Sequence, residues 1–155
     1  MGLPIVRCGD VLRLTLTNGY SFLQCVKEAP KTECEIIRVI PGVFKQDDQL
    51  ADSIVKQKES FFIQMPVKYA IKQKYLKYIA NFPVPYGSEA PRFFRTEHHI
   101  GKEFIGWYIV DSETLKLRLV KNLSKAEQKL SEWGIISIPD LVEKIESSWT
   151  PEKWK

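Results

Sequence analysis

The chain has 155 residues, of which 44% are hydrophobic and 27% are charged, and its formal net charge is +4. These values predict one globular domain over 1–155, with a core that needs no disulfide or metal, and they exclude a disordered tail. Charges or prolines interrupt every apolar run before the roughly 18 residues that a membrane-spanning helix requires, so we expect no membrane span.

The N-terminal residues and the cysteines both predict a cytoplasmic protein. The apolar stretch before Arg7 is too short for a signal peptide. Cys8, Cys25 and Cys34 are an odd number of cysteines without a CxxC pair, which favours reduced thiols over a secreted disulfide framework.

The chain begins with the pattern of a β-meander. Alternating residues over 10–16 and an apolar run over 20–26 flank Asn18-Gly19, which predicts a hairpin with a type I′ turn and positive φ at both central residues. A β-branched run over 36–40, stopped by a Pro-Gly pair, predicts a third strand.

The middle of the chain is less regular. Residues 46–58 predict a short helix or a long loop, and 61–65 predict a strand. Over 67–82 the apolar spacing fits a helix and also a short aromatic strand, so both interpretations stay open. Four prolines and glycines make 83–91 irregular.

The last third combines a hairpin with helices. Strands over 107–110 and 115–119 are predicted to flank a turn. Ser124 and Glu127 have the spacing of a capping box, which predicts a helix that ends at Gly134. A second helix is predicted from Ser137 onward, with its end marked by Trp149, Thr150 and Pro151.

Strands followed by helices predict an α+β fold. We expect a curved, mainly antiparallel sheet or an SH3-like, partly open β-barrel, with two short C-terminal helices. The β-rich part would span 9–120 and the helical end 123–149.

No spacing predicts a catalytic or metal site. His98 and His99 are adjacent, and neighbours on a strand point to opposite faces, so a solvated loop pair is favoured over shared metal ligands. Cys25 lies in a predicted strand, where a small buried hydrophobe is the favoured interpretation. Cys8 and Cys34 have no activating partner in the sequence.

The carboxylates do not pair on one rigid face either. The candidates are Asp10, Asp47, Asp48, Asp52, Glu97, Glu103 and Asp111. Asp10 and Asp111 lie next to turns, where side chains cap backbone amides, and we predict that structural role for both. The chain has no phosphate-binding loop and no dinucleotide fingerprint, so we expect no enzyme activity, no cofactor and no metal.

A segment over 68–78 is the best candidate for a binding surface. It interleaves basic and aromatic residues: Lys68, Tyr69, Lys72, Lys74, Tyr75, Lys77 and Tyr78. Lysines can neutralise phosphates while tyrosines stack on bases, and 92–95 could extend such a surface. The alternative is a solvated face with half-buried tyrosines, which the shortness of the charge run favours.

The order of motifs along the chain carries a family resemblance. The first half contributes Gly9-Asp10-Val11, Leu14, Leu16, Asn18-Gly19-Tyr20, Val26, Ile37, Val39 and Phe62-Ile63. The middle contributes Tyr69-Ala70, Lys72, Lys74, Lys77, Ile79, Asn81, Pro83-Val84-Pro85, Pro91 and Phe93-Phe94. Trp107-Tyr108-Ile109-Val110-Asp111 and a helical end from Leu123 follow. This series resembles immunity family 26 of bacterial polymorphic toxin systems, with departures at Leu12, Leu76 and 22–24.

The resemblance implies binding rather than catalysis, namely an antidote that occludes a cognate toxin domain. Anchors for that contact are expected in the irregular middle of the chain. We select Tyr69, Lys72, Lys74, Tyr75, Tyr78, Arg92, Phe94 and Arg95. The positive net charge predicts a toxin with an acidic or mixed face. The alternative is a small nucleic-acid-binding β-barrel that uses 68–78.

Overall fold

The computed structural model describes residues 2–30, 33–46 and 50–154, so the predicted Asp47-Asp48 pair lies outside the described residues. The chain divides into two compact units. Unit 1 comprises Met1–Ala90 and Ile135–Trp149, and unit 2 comprises Pro91–Gly134 and Thr150–Lys155. Each unit has its own sheet and its own part of the C-terminal segment.

The described residues of unit 1 form a five-stranded antiparallel sheet and three short helices. Its strands are β1 Asp10–Leu16, β2 Gly19–Lys27, β3 Glu35–Val39, β4 Phe61–Met65 and β5 Leu76–Asn81. Its helices are α1 Asp52–Val55, α2 Val67–Lys72 and α3 Ile138–Glu146. The strand order is β4-β3-β2-β1-β5, which confirms the predicted meander and adds one strand at each side.

Unit 2 contains a three-stranded antiparallel sheet. Its strands are β6 Phe93–Ile100, β7 Glu103–Asp111 and β8 Leu117–Val120, in the order β6-β7-β8. The predicted hairpin around 111–114 is confirmed as β7-β8. The α+β class and the antiparallel pairing are confirmed, but the described strands form two open sheets rather than one curved sheet.

The first turn differs from its prediction. Leu16 pairs with Gly19, so the loop between the strands is Thr17-Asn18, and Asn18 does not have a positive φ. The type I′ prediction is therefore wrong, although the hairpin is present. Glycine is needed at position 19 for a different reason, because a side chain there would collide with the carbonyl of Phe44. The backbone of Phe44 is held close by two hydrogen bonds with the backbone of Tyr20, of 2.7 and 2.8 Å.

Both faces of the unit 1 sheet are covered. One face packs Leu12, Leu23 and Ile37 with Leu141 of α3, and the other packs a smaller cluster around Phe22. Coverage of both faces explains why nearly every residue of β2 and β3 is buried, including the polar Gln24 and Arg38, rather than alternate residues.

A buried arginine joins the second face to the loop after α1. Arg38 is fully buried and donates hydrogen bonds to the side-chain oxygen of Gln24 at 2.7 Å, to the carbonyl of Gln57 at 2.9 Å and to the carbonyl of Val55. Glu59 lies 3.8 Å away. Burial lowers the pKa of Arg38, and the Glu59 carboxylate opposes that shift.

Only one of the two predicted C-terminal helices forms. The capping box is confirmed, because the Ser124 amide donates to the Glu127 carboxylate at 2.9 Å and the Glu127 amide donates to the Ser124 hydroxyl at 3.1 Å. It begins a single 3₁₀ turn, Glu127–Lys129, and not a helix to Gly134.

Competition from β6 explains the missing helix. The Arg95 amide donates to the Ser131 carbonyl at 3.0 Å and the Trp133 amide donates to the Arg95 carbonyl at 2.8 Å, which holds that segment extended. The second predicted helix is confirmed as α3, whose N-cap Ser137 accepts a hydrogen bond from the Asp140 amide at 3.3 Å. No helix among the described residues is long and apolar enough to cross a membrane.

Candidate binding surfaces

The ambiguous segment over 67–82 resolves into a helix followed by a strand, α2 and then β5. The connection is a Schellman motif: the Tyr75 amide donates to the Ala70 carbonyl at 2.9 Å and the Lys74 amide donates to the Ile71 carbonyl at 3.0 Å. Lys74 occupies the left-handed position of this motif, with φ of 68°. The tyrosines and lysines are therefore held by a defined backbone.

We call the five predicted residues of unit 1 the Lys/Tyr surface: Tyr69, Lys72, Lys74, Tyr75 and Tyr78. All five are exposed, and the exposed fractions of Tyr75 and Tyr78 are 52% and 49%. Neither hydrophobic cluster of unit 1 includes these tyrosines. β5 is an outer strand of its sheet, so Tyr78 lies at the sheet's edge, and the other four residues lie in α2 and in the turn that leads into β5.

Lys68 does not belong to that surface. Its ammonium lies 2.8 Å from the carboxylate of Glu35, which is fully buried, and it donates to the Ala29 carbonyl at 2.5 Å. The same carboxylate accepts a hydrogen bond from the Val67 amide at 3.0 Å. Lys68 therefore fixes the start of α2, and the positive charge available on the surface is smaller than the sequence suggests.

The prediction that Phe94 and Arg95 are surface anchors is wrong. Both side chains are fully buried, and both residues lie in strand β6. The Phe94 ring packs edge-on against Trp133, with 5.3 Å between the ring centroids. Arg92 does remain partly exposed, and its Nε lies 3.0 Å from the Asp111 carboxylate.

Arg95 is the centre of a cation–π arrangement within unit 2. Its guanidinium lies 4.5 Å from the ring centroid of Trp107 and 4.4 Å from that of Trp154. It donates hydrogen bonds to four carbonyls, those of Gln128, Leu130, Pro151 and Trp154. Burial lowers the pKa of Arg95, and nearby glutamates oppose that shift.

The same tryptophans line a cleft of about 680 Å³ in unit 2. Phe104, Trp107 and Trp154 provide its aromatic part, with Glu97 and Lys121 among its polar residues. The Trp107 centroid lies 5.4 Å from that of Phe104 and 4.9 Å from that of Trp154. Sequence reasoning missed this cleft because Trp107 and Trp154 are far apart in the chain and share no local pattern.

A second feature that sequence reasoning missed is the exposure of β8. Leu117 and Leu119 expose 56% and 48% of their surface, although they lie within a regular strand. Their alternation with Lys116 and Arg118 was the available signal, since it indicates one apolar and one basic face.

His98 and His99 lie outside these surfaces, and with the other described residues they do not form a metal site. His98 and His99 lie on β6 with a register shift between them, and not in a loop, and His99 Nε2 is 3.4 Å from the Glu97 carboxylate. In the ranges that the structure describes, no group of three or more His, Cys, Asp or Glu side chains could hold a metal ion.

Cys25, Asp10 and Asp111 have the structural surroundings that the sequence predicts. Cys25 is a buried core residue as predicted, and burial raises the pKa of its thiol to about 12. Asp10 accepts a hydrogen bond from the Arg7 amide at 2.8 Å. Asp111 accepts from the amides of Glu113 and Thr114 at 2.9 and 3.2 Å, so both predicted caps are confirmed.

Comparison of the chain with protein-family models, curated proteins and solved structures finds no match. The resemblance to immunity family 26 therefore depends on the sequence pattern given above.

Proposed function

We propose that this chain is a non-catalytic binding protein of the toxin-immunity type, which neutralises a bacterial toxin by direct protein–protein contact. The observation that carries the proposal is the Lys/Tyr surface, where three exposed tyrosines lie on a capped helix–strand connection. The family resemblance of the sequence supports the same function. We also propose that unit 1 is related to SH3-like barrels, and the β1–β3 meander supports this relationship.

Exposed tyrosines suit protein recognition for a physical reason. A tyrosine offers a large, partly apolar contact area and loses few rotamers on binding, so it contributes binding energy at low entropic cost. Lys68 and Glu35 fix the start of α2, and the Schellman motif fixes its end. This connection is pre-organised, which reduces the free energy needed to order it in a complex.

The charge of the Lys/Tyr surface sets the chemistry of the partner. Lys72 and Lys74 are exposed there, and no acidic residue occurs between 60 and 88 in the sequence. A toxin with an acidic face would be steered toward this surface, and its association rate would fall as salt rises.

Binding to the toxin domain encoded beside this chain's gene tests the proposal, with that domain catalytically inactivated. By calorimetry, Tyr75→Ala and Tyr78→Ala should each weaken binding about 10- to 100-fold, as expected for central aromatic anchors. Tyr86→Ala is the matched control, because Tyr86 is fully exposed in unit 1 but lies outside the Lys/Tyr surface. The absence of any toxin gene in the neighbourhood, or unchanged affinity in both variants, would contradict the proposal.

The alternative is single-stranded nucleic-acid binding through the same residues, which the interleaving of lysines with tyrosines favours. The ion pair between Lys68 and Glu35 makes this alternative weaker, because it leaves one lysine fewer to contact phosphates. Fluorescence anisotropy with labelled RNA and DNA oligonucleotides should then show tightening as salt falls, with a shallower salt dependence in the Lys72→Ala, Lys74→Ala double variant. No binding at low salt would eliminate this alternative.

A further inference from the structure

The outer edge of β8 is open. β8 is the last strand of the unit 2 sheet, and in the described part of the chain no strand or isolated bridge pairs with its outer side. The other outer strand of this sheet is partly covered, because Arg95 of β6 forms a bridge with Glu132. An open edge presents backbone donors and acceptors that can pair with another extended chain.

The register of the β7-β8 hairpin identifies which residues face that edge. The Asp111 amide donates to the Lys116 carbonyl at 3.0 Å, so Asp111 and Lys116 occupy a hydrogen-bonded position. Antiparallel pairs alternate between hydrogen-bonded and non-hydrogen-bonded positions. Leu117, opposite Val110, and Leu119, opposite Tyr108, are therefore non-hydrogen-bonded with β7, and their N–H and C=O groups point to the open edge.

The two faces of β8 differ. Natural edge strands are commonly protected by charges, prolines or bulges, and Arg118 places a charge on one face of β8, whereas Leu117 and Leu119 place two exposed apolar side chains on the other. Leu115, just before the strand, is also exposed and has φ of 63°, an unfavourable conformation for a leucine. Three exposed leucines therefore lie in or directly before the strand that forms this open edge.

The opposite face of β8 carries Arg118, and Lys116 occupies the alternating position directly before the strand. Residues 115–129 contain five basic residues and one acidic residue, a net charge of +4. The one carboxylate, that of Glu127, lies 2.8 Å from Arg118 and also accepts the Ser124 amide. An incoming chain would meet apolar side chains on one face of β8 and cations on the other.

We propose that β8 accepts an extended acidic segment of a partner protein as a fourth strand of the unit 2 sheet. Apolar residues of that segment would pack on Leu117 and Leu119, and alternating carboxylates would face Lys116 and Arg118. A second copy of β8 is disfavoured, because antiparallel self-pairing would bring like charges together. This inference names the class of partner segment for the proposed binding function, and to that extent rests on it.

A designed peptide tests the proposal without the toxin. The probe is a blocked, fluorescein-labelled peptide of about eight residues that alternates glutamate with valine, a length that matches a natural strand. The control peptides alternate lysine with valine, or carry the same glutamates and valines in two blocks. With the full chain, anisotropy should show binding of the alternating acidic peptide at least about tenfold tighter than either control.

Matched variants locate the binding site. Lys116→Glu with Arg118→Glu should weaken peptide binding by about tenfold or more, whereas Lys72→Glu with Lys74→Glu makes the same charge change on unit 1 and should weaken it less than about threefold. Leu119→Pro removes one outward N–H and should abolish binding while β8 remains paired with β7, which near-ultraviolet circular dichroism can verify. Amide exchange at Leu117 and Leu119 should slow by about fivefold or more with peptide bound.

Three results would overturn the proposal: equal binding of the block control, equal weakening by both charge variants, or exchange protection elsewhere in the chain. Concentration-dependent dimerisation that is abolished by Leu119→Pro would instead assign the edge to a second copy. Because the peptide experiment contains no toxin, its failure leaves the toxin-binding test unaffected, and the reverse also holds.

Discussion

Arg95 joins the sequence-distant segments of unit 2. Its guanidinium donates to the Pro151 carbonyl at 2.6 Å and to the Trp154 carbonyl at 3.0 Å, while Trp107 contributes an aromatic face from β7. A lysine would remain charged but has no planar fork to reach several carbonyls at once. We therefore predict that Arg95→Lys lowers the free energy of unfolding by about 3 kcal/mol, measured by urea denaturation with tryptophan fluorescence.

Arg92→Lys is the matched control for that variant. Arg92 is about half exposed, and its ion pair with Asp111 is accessible to solvent. The same substitution there should cost less than about 1 kcal/mol. If the two variants lost the same free energy of unfolding, the hydrogen bonds of the buried Arg95 guanidinium would not account for its contribution to stability.

At the level of secondary-structure elements, α2 and α3 end in the same way without glycine. Lys74 and Ser148 have φ of 68° and 55°, and the amide that follows each bonds back to the carbonyl five residues earlier. A left-handed conformation costs a non-glycine residue roughly 1–2 kcal/mol. We predict that Lys74→Gly and Ser148→Gly each raise the free energy of unfolding by about 1 kcal/mol, measured by urea denaturation.

Two further substitutions separate backbone from side-chain effects in α2. Lys72→Gly places glycine within the last helical turn and should destabilise by about 0.5–1 kcal/mol. Lys74→Ala removes the same charge as Lys74→Gly but retains the left-handed strain, so its stability should stay close to that of the parent chain. A gain in Lys74→Ala equal to that in Lys74→Gly would assign the effect to charge.

Elements controlled by local patterns were predictable from the sequence. The hairpins, β4, the capping box and the start of α3 all depend on neighbouring residues, and the structure confirms them. The helix after Ser124 was not predictable, because β6 competes for backbone groups of 131–133 through contacts distant in sequence. Schellman motifs were missed for a local reason, since their usual signal is a glycine and this chain uses Lys74 and Ser148.

The candidate sites were less predictable than the fold. Tyr75 and Arg95 differ in burial, although tyrosine and arginine are both common interface anchors. Tyr75 is half exposed, whereas Arg95 is enclosed by two tryptophans. Lys68 shows the same problem, because it lies in α2 while its partner Glu35 lies in β3, far from it in the sequence. Composition identifies candidates for binding, but only packing shows which of them remain accessible.

At the level of the whole molecule, carboxylates on both units make the free energy of unfolding depend on pH in the acid range. Hydrogen bonds from Thr17 lower the pKa of Glu146 in unit 1. Hydrogen bonds from Ser124, with a further contribution from Arg118, lower the pKa of Glu127 in unit 2. Burial alone would raise the pKa of Asp111, but hydrogen bonds from Glu113, Thr114 and Arg92 outweigh it and lower that pKa.

A lowered carboxyl pKa stabilises the folded state above the unfolded pKa of roughly 4, and this stabilisation is lost as pH falls through the folded pKa. The urea midpoint should therefore fall as the pH is lowered below about 4. Asp111→Asn resembles the protonated side chain, so it should be less stable than the parent chain at pH 7 and converge with it in acid. A difference that stayed constant from neutral pH into acid would show that the Asp111 charge does not contribute, since only a titrating group makes the two curves converge.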